Sequence, residues 1–256
     1  MTYETLTLRH DGPIARIWLD RPAKLNALDA QALEEIAAVF DELQRSFETP
    51  VVVLGGRGRS FCAGADRTSP PGRPVRGSGA SARERRWTAQ LGRRATEAIE
   101  RSEAITIARL HGHVVGGGLV LALACDLRVA ATDTTCWIPE VDLGIPLSWG
   151  AVPRLARELG PAKAKELILL CDRIDAVTAA FIGLVNRVVP DEILDAEVDA
   201  WAARLAAKPP WAVHMTKSQF QAYGRGATLG DVTTLDGDLL LSATAEDPTR
   251  FAWKAP

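Results

Sequence analysis

Three successive glycines, Gly116, Gly117 and Gly118, are the residues of this chain best placed to do chemistry. They directly precede an apolar run at residues 119–124, which predicts the start of a helix. Glycines leave the backbone without Cβ atoms, and the first N–H groups of a helix have no acceptor within it. The stretch therefore predicts a helix start whose N–H groups face a ligand oxygen, as in an oxyanion hole.

Other glycine motifs do not fit this stretch. A dinucleotide-binding loop needs G-x-G-x-x-G, and a phosphate-binding loop needs Lys followed by Ser or Thr, whereas Leu119 and Val120 follow here. Close packing of a helix on a strand explains three glycines about as well as catalysis does. Taken alone, the glycines leave both interpretations open, so the rest of the chain has to decide.

The glycines lie in a predicted order of strand, glycine turn, helix and strand. Apolar segments predict strands at residues 5–9, 14–19, 51–54, 104–110, 127–130 and 184–189. The Asp11-Gly12-Pro13 cluster predicts a hairpin turn, and Asp29 is expected to cap a helix that runs to about residue 47. Alternating strands and helices predict an α/β fold with a largely parallel sheet.

The second half of the chain becomes helical. Helices are predicted at residues 192–207, 211–222 and about 229–244, which favours a core at 1–195 and a helical region for packing or oligomerisation at 196–256. Residues 67–86 are rich in Pro, Gly, Ser and Arg, which predicts a mobile loop, with a helix that starts near its end and runs through Trp87 and Leu91 to Ile99. This loop either stays solvated or covers an anionic ligand.

Composition excludes several classes of function. A net charge of −2 over 256 residues provides no basic field for nucleic acid, and the apolar runs are too short to cross a membrane. The four cysteines form no C-x-x-C pair and the four histidines lack ligand spacing, so no metal site is expected. With no leader pattern at the start, these features predict a cytoplasmic protein.

Four stretches, in the expected order, resemble the crotonase superfamily, the enoyl-CoA hydratase/isomerase fold. Residues 21–28 (RPAKLNAL) resemble its R-P-x-x-x-N-A-L segment, and residues 60–66 (SFCAGAD) its F-x-A-G-A-D turn. The Gly116 stretch resembles the superfamily signature, and residues 136–144 (CWIPEVDLG) the P-E-x-x-x-G element. The resemblance covers nearly the full length and implies a crotonase fold of repeated ββα units with a C-terminal helical oligomerisation region.

The resemblance also implies partners and site residues. The substrate would be an acyl-CoA thioester, with coenzyme A as part of the substrate and no separate cofactor, and the assembly a homotrimer or a dimer of trimers. By the same resemblance, the N–H groups of Ala63 and Gly117 would form the oxyanion hole beside Glu140 as the catalytic acid. The implied substrate-binding residues are Lys24, Leu25, Ala27, Ala65, Asp66, Gly116, Val120, Trp137 and Trp149. Asp66, Asp126 and Asp142 are expected to be mainly structural.

One position departs from the hydratase pattern. Hydratases of this superfamily have a glutamate where this chain has Val120, and a second where it has Glu140. A valine cannot orient or deprotonate water, so the resemblance favours a 3-enoyl to 2-enoyl-CoA isomerase in which one acid moves a proton between carbons. Trp137, Ile138, Val120 and Trp149 would raise the basicity of that acid by excluding water. A hydratase of reduced or altered activity and a non-catalytic acyl-CoA binding protein remain as alternatives.

A second departure lies in the segment after Glu140. Pro146 comes one place earlier than the proline that the family usually has there. The pocket wall formed by Leu147, Ser148 and Trp149 is therefore expected to have a shape of its own.

Overall fold

The computed structural model describes residues 2–72 and 79–226, and its strands form two sheets. In chain order the strands are β1 (Leu6–Asp11), β2 (Ile14–Leu19), β3 (Val51–Gly56), β4 (Ile105–Leu110), β5 (His113–Val115), β6 (Leu127–Ala131), β7 (Thr135–Trp137), β8 (Ile174–Asp175) and β9 (Arg187–Val189). The α-helices are α1 (Ala30–Gln44), α2 (Ala82–Ala89), α3 (Leu91–Arg101), α4 (Gly117–Ala124), α5 (Ala151–Leu159), α6 (Pro161–Leu170), α7 (Ala176–Phe181), α8 (Leu194–Ala206) and α9 (Pro210–Gly226). Short 3-10 helices lie at Pro22–Lys24 and Asp191–Ile193.

The larger sheet has the strand order β1-β2-β3-β4-β6-β9. β1 and β2 form the predicted antiparallel hairpin, and every other pair in this sheet is parallel. In the register, Ile17 pairs with Leu54 and Leu54 with Ala108, so buried side chains of three strands lie side by side. The predicted parallel sheet is confirmed.

The smaller sheet has the order β5-β7-β8, and its strands are only two or three residues long. β5 continues from β4 through His111 and Gly112, and it pairs in parallel with β7. The two sheets thus meet at the residues that lead into the Gly116 stretch. The sequence analysis did not predict this second sheet.

Helices cover both faces of the larger sheet. On one face, α1 contributes Leu33, Ile36 and Phe40 to the main core, and its N-cap Asp29 accepts a hydrogen bond from Ala32 N at 2.9 Å, as predicted. On the other face, α8 packs onto the alternate residues of the strands. This second cluster contains Val51, Val53, Ile107, Val129, Leu194, Val198 and Ala202.

The packing of α8 bears on how the chain is divided. The predicted boundary between residues 195 and 196 lies inside α8, whose buried face belongs to the sheet of the core. Beyond it, α9 docks through Lys217, whose Nζ donates to Ala104 O at 2.8 Å and to Asp126 Oδ2 at 2.7 Å. The helix predicted at about 229–244 lies outside the described residues.

A helix begins near the end of the arginine-rich segment, as expected, but the stretch through Trp87 to Ile99 forms two helices, α2 and α3, instead of one. Ser81 and Glu84 form a capping box at the start of α2. Gln90 ends α2 and precedes the first residue of α3. No helix within residues 2–72 and 79–226 is long and apolar enough to span a membrane.

Candidate active site

The Gly116 stretch forms the predicted helix start. Gly116 caps α4 with φ +48°, its N–H donates to Trp137 O at 2.8 Å, and its carbonyl accepts from Val120 N at 3.0 Å. The N–H groups of Gly117 and Gly118 come before the first residue that can bond back within the helix. Because β7 holds the turn at Trp137, the free N–H of Gly117 has a fixed direction.

Each of the three glycines meets a different neighbour. A Cβ atom on Gly116 would lie 2.5 Å from Oε1 of Glu140, and one on Gly117 would lie 2.4 Å from Cζ3 of Trp149. A Cβ atom on Gly118 would lie 2.7 Å from the Cβ and the carbonyl oxygen of Cys62. Gly118 therefore serves close packing, whereas Gly116 and Gly117 let an acid and an indole ring approach the helix start.

The F-x-A-G-A-D turn corrects one predicted role. The N–H of Ala63 donates to Leu25 O at 2.9 Å, so it is not available to a substrate oxygen. The assignment of Ala63 to the oxyanion hole is therefore wrong. Cys62 pairs on the other side with β5, where its N–H donates to His113 O at 3.0 Å.

Two residues further on, Ala65 has the free N–H of this turn. Leu28 forms hydrogen bonds with the residues on either side of Ala65. Leu28 N donates to Gly64 O at 2.8 Å, and Asp66 N donates to Leu28 O at 2.7 Å. In this parallel bridge the N–H of the middle residue points away from its partner strand, and Ala65 N has no acceptor within the described residues. A Cβ atom on Gly64 would lie 3.9 Å from Gly117 N, so the two turns adjoin. Ala65 and Gly117 thus provide two free main-chain donors at one place.

Glu140 lies in the turn after β7, with its carboxylate against Gly116. Its own carbonyl accepts from Leu143 N at 3.1 Å and Ile145 N at 3.0 Å, which fixes the backbone of the turn. Its Oε2 atom is buried and finds no hydrogen-bond partner in the part of the chain that the structure describes. Burial raises the pKa of Glu140 to about 7, while a hydrogen bond from its own backbone acts against this rise. Both the ionised and the protonated carboxyl group are therefore accessible near neutral pH.

The remaining acids named from the sequence have other surroundings. Burial by itself would raise the pKa of Asp66. Hydrogen bonds from Lys24, Thr68 and Arg21 outweigh this effect and hold the pKa well below its usual range. Asp126 accepts hydrogen bonds from Lys217 and Thr106, and Asp142 is exposed. Asp66 and Asp126 are thus structural acids.

The predicted coenzyme A segment wraps around the same turn. Lys24 and Arg21 each bond to Asp66, at 2.8 Å and 2.9 Å, and Arg21 also donates to the carbonyl of Ala27. Asn26, which the sequence analysis did not single out, is buried with φ +56° and donates to Ser60 O at 2.8 Å. This φ lies in the left-handed region, where Asn is more common than most other side chains. The presence of an Asn in this segment was therefore the available sequence signal for the turn.

The residues of the predicted apolar wall have different surroundings. Val120 is 2% exposed and Ile138 is 3% exposed, and the Trp149 ring lies against Gly117. Trp137 holds Gly116 through its carbonyl, but its side chain lines a cavity of about 280 Å³ on the smaller sheet. The residues lining this cavity are Ala63, His113, Val115, Thr135, Trp137 and Arg173.

Two sheets that meet at a glycine-rich helix start, with helices on both faces of the larger one, are the architecture of a crotonase-fold enzyme. The chain belongs to the enoyl-CoA hydratase/isomerase family, whose family model matches residues 9–254. Enzymes of this family act on acyl-CoA thioesters, and this protein is one of them.

The relatives of this chain include proteins named as hydratases and one named as an isomerase. The chain is 35% identical to a crotonyl-CoA hydratase from Syntrophomonas wolfei, over 96% of this chain and 89% of the relative. It is 33% identical to a peroxisomal Delta(3,5)-Delta(2,4)-dienoyl-CoA isomerase from Arabidopsis thaliana, over 85% of this chain and 80% of the relative. A solved Thermobifida fusca structure in complex with CoA, described as that of an enoyl-CoA hydratase, matches with a TM-score of 0.79 and 30% identity, covering 98% and 95% of the two chains.

Proposed function

We propose that this protein is a 3-enoyl to 2-enoyl-CoA isomerase that uses Glu140 as its single catalytic acid and base. The observation that carries the proposal is the buried carboxylate of Glu140, which has an unpartnered oxygen and a pKa near 7 and lies beside the glycine helix start. One turn along α4, the position of a second acid is the buried Val120.

The proposed reaction begins at the thioester carbonyl. Its oxygen accepts hydrogen bonds from the N–H groups of Ala65 and Gly117, which have no other acceptor among the described residues. These donors stabilise the negative charge that develops when an α proton leaves, and one such donor is typically worth roughly 2.7 to 4 kcal/mol of transition-state stabilisation. Ala65 therefore provides the second donor, because the N–H of Ala63 is bonded to Leu25 O.

Glu140 then moves one proton. Its ionised carboxylate removes a proton from the α carbon of the 3-enoyl thioester, and the electron pair forms a dienolate whose charge rests on the carbonyl oxygen. The protonated carboxyl returns the same proton to the γ carbon, which leaves a conjugated 2-enoyl thioester. A pKa near 7 suits both steps, because neither the ionised nor the protonated form is strongly favoured at neutral pH.

Coenzyme A is proposed to bind along residues 21–28. Lys24 is half exposed beside Asp66, so its cation is available to a phosphate group of coenzyme A. The related Thermobifida fusca structure in complex with CoA supports the same class of ligand. Coenzyme A enters as part of the substrate, and no separate cofactor is required.

The proposal is tested with 3-enoyl-CoA substrates, whose conversion to the conjugated product is followed by absorbance. We expect Glu140→Gln to lower kcat by about 10² to 10⁴-fold, because the amide cannot accept a proton. Asp142→Asn is the matched control, since this acid lies two residues away and is exposed. Full activity in Glu140→Gln would overturn the proposal.

Hydration is the second candidate function, because the Syntrophomonas wolfei relative is named a crotonyl-CoA hydratase. If hydration is limited by the missing acid, Val120→Glu is expected to increase the hydration of crotonyl-CoA at least about tenfold, since two carboxylates then hold the water. Wild-type hydration faster than isomerisation would make the hydratase the better assignment. Acyl-CoA binding with no turnover of either kind would favour the non-catalytic alternative.

The homotrimer, or dimer of trimers, is also a proposal. Large apolar side chains are exposed on neighbouring helices, and buried contact between copies would cover them. These residues, on α6 and α7, are Leu169, Leu170, Val177 and Phe181. Light scattering after gel filtration tests the assembly, and a monomer would contradict it.

A further inference from the structure

Trp149 occupies the space between two helices at the catalytic centre. Its ring is sandwiched between Gly92 in the first turn of α3 and Gly117 at the start of α4. A Cβ atom on Gly92 would lie 1.9 Å from Cε2 of the indole, and one on Gly117 would lie 2.4 Å from Cζ3. Only glycines on both helices leave room for the ring.

The backbone of Trp149 is held as firmly as its ring. Its φ of +60° lies in the left-handed region, which a side chain of this size seldom adopts. Its carbonyl accepts from Thr96 Oγ1 at 2.9 Å and from Arg154 Nη1 at 2.8 Å. Arg154 is in turn bonded to Glu100 at 2.7 Å, so α3 and α5 together fix the position of the indole.

The proposed chemistry places the acyl chain beside this ring. The α carbon has to lie within reach of Glu140, whose carboxylate contacts Gly116, and the thioester oxygen has to lie at Gly117. The sulfur side of the carbonyl then faces Ala65 and the coenzyme A segment. The acyl side consequently leaves the carbonyl along Gly116 and Gly117, toward Trp149.

We propose that Trp149 limits the length of the acyl chain and restricts the enzyme to short-chain acyl-CoA thioesters. The indole fills the gap between α3 and α4 that a longer chain would need. Tight packing against two glycines means that the ring cannot turn aside without a movement of α3 or α4. This inference rests on the proposed function, because it takes the direction of the acyl chain from the position of Glu140.

The test is the binding of saturated butanoyl-, octanoyl- and dodecanoyl-CoA, measured by calorimetry. For the wild-type protein we expect no gain in affinity from butanoyl to octanoyl. For Trp149→Ala we expect affinity to rise about fourfold for each methylene that enters the opened space. Trp211→Ala is the matched control, because this tryptophan lies on α9 and is 75% exposed. It should retain the wild-type order.

Two results would overturn the inference: a wild-type affinity that already rises steadily to dodecanoyl-CoA, or a folded Trp149→Ala that keeps the wild-type order. If Trp149→Ala does not fold, Trp149→Phe gives the same test with a smaller opening, and an unchanged order there also counts against it. Saturated thioesters cannot be isomerised, so this binding test is independent of turnover. Failure of the proposed isomerase would instead appear as unchanged activity in Glu140→Gln.

Discussion

The two turns that meet at the proposed oxyanion site free their N–H groups in different ways. At the start of α4, Gly117 is free because the first N–H groups of a helix have no acceptor within it. In the F-x-A-G-A-D turn, Ala65 is free because Leu28 pairs with the residues on either side of it. The first donor can be located by counting from the helix start. The second depends on which strand the turn pairs with, and this is where the assignment of Ala63 failed.

Among substitutions in the two turns, Gly116→Ala is expected to have the largest effect on isomerase activity. The new Cβ would lie 2.5 Å from Oε1 of Glu140, and the residue has φ +48°, so the carboxylate and the helix start cannot both keep their places. We expect isomerase activity to fall about 10² to 10⁴-fold, the range that loss of a general base produces. Steady-state kinetics with a 3-enoyl-CoA measures it.

Gly183→Ala is the control for backbone strain. Gly183 has φ +85°, but a Cβ atom there would meet nothing within 4 Å. This variant is expected to lose roughly 1 to 3 kcal/mol of stability and to keep its activity. Equal activity losses in the two variants would mean that strain, rather than the contact with Glu140, explains the requirement for Gly116.

Proline at the two alanines of the other turn is expected to have the next largest effect. Proline has no N–H, so Ala65→Pro removes the free donor, whereas Ala63→Pro removes a hydrogen bond to Leu25 O. We expect Ala65→Pro to lower kcat about 10² to 10³-fold, and Ala63→Pro to act mainly on stability, by about 1 kcal/mol. Urea unfolding measured together with kcat separates the two effects. A similar loss of kcat in both variants, at equal stability, would contradict the choice of Ala65.

Elements with a clear local pattern can be predicted from the sequence, whereas elements defined by pairing between distant segments cannot. The hairpin, β3, β4 and α1 have long apolar patterns or clear caps, and their predicted limits agree with the structure to within a few residues. β8 has two residues and β5 and β7 three each, too few for any periodicity to appear.

The candidate site follows the same division. Gly117 and Glu140 were identified from local motifs, whereas the contact of Glu140 with Gly116 depends on the path of the chain after β7. The side chain of Trp137 lines a cavity on the smaller sheet, and the position of that sheet could not be derived from the sequence. The residues that the sequence misplaced are therefore those whose surroundings are set by pairing between distant segments.

The pH dependence of stability provides the most specific test, because it concerns Glu140 alone. Its pKa is about 7 in the folded protein and near the ordinary value of 4.5 in the unfolded chain. Between these values the folded state binds more protons than the unfolded state, so stability falls as pH rises from 4.5 to 7. At 1.36 kcal/mol for each pKa unit, the full loss is about 3 kcal/mol.

Glu140→Gln lacks this titration, so it should be more stable than the wild type at pH 8, with the difference shrinking toward pH 5. Thermal unfolding at the two pH values measures this, and a difference that does not change with pH would show that the carboxylate of Glu140 is well solvated. A solvated carboxylate would also remove the main reason for assigning it both proton transfers.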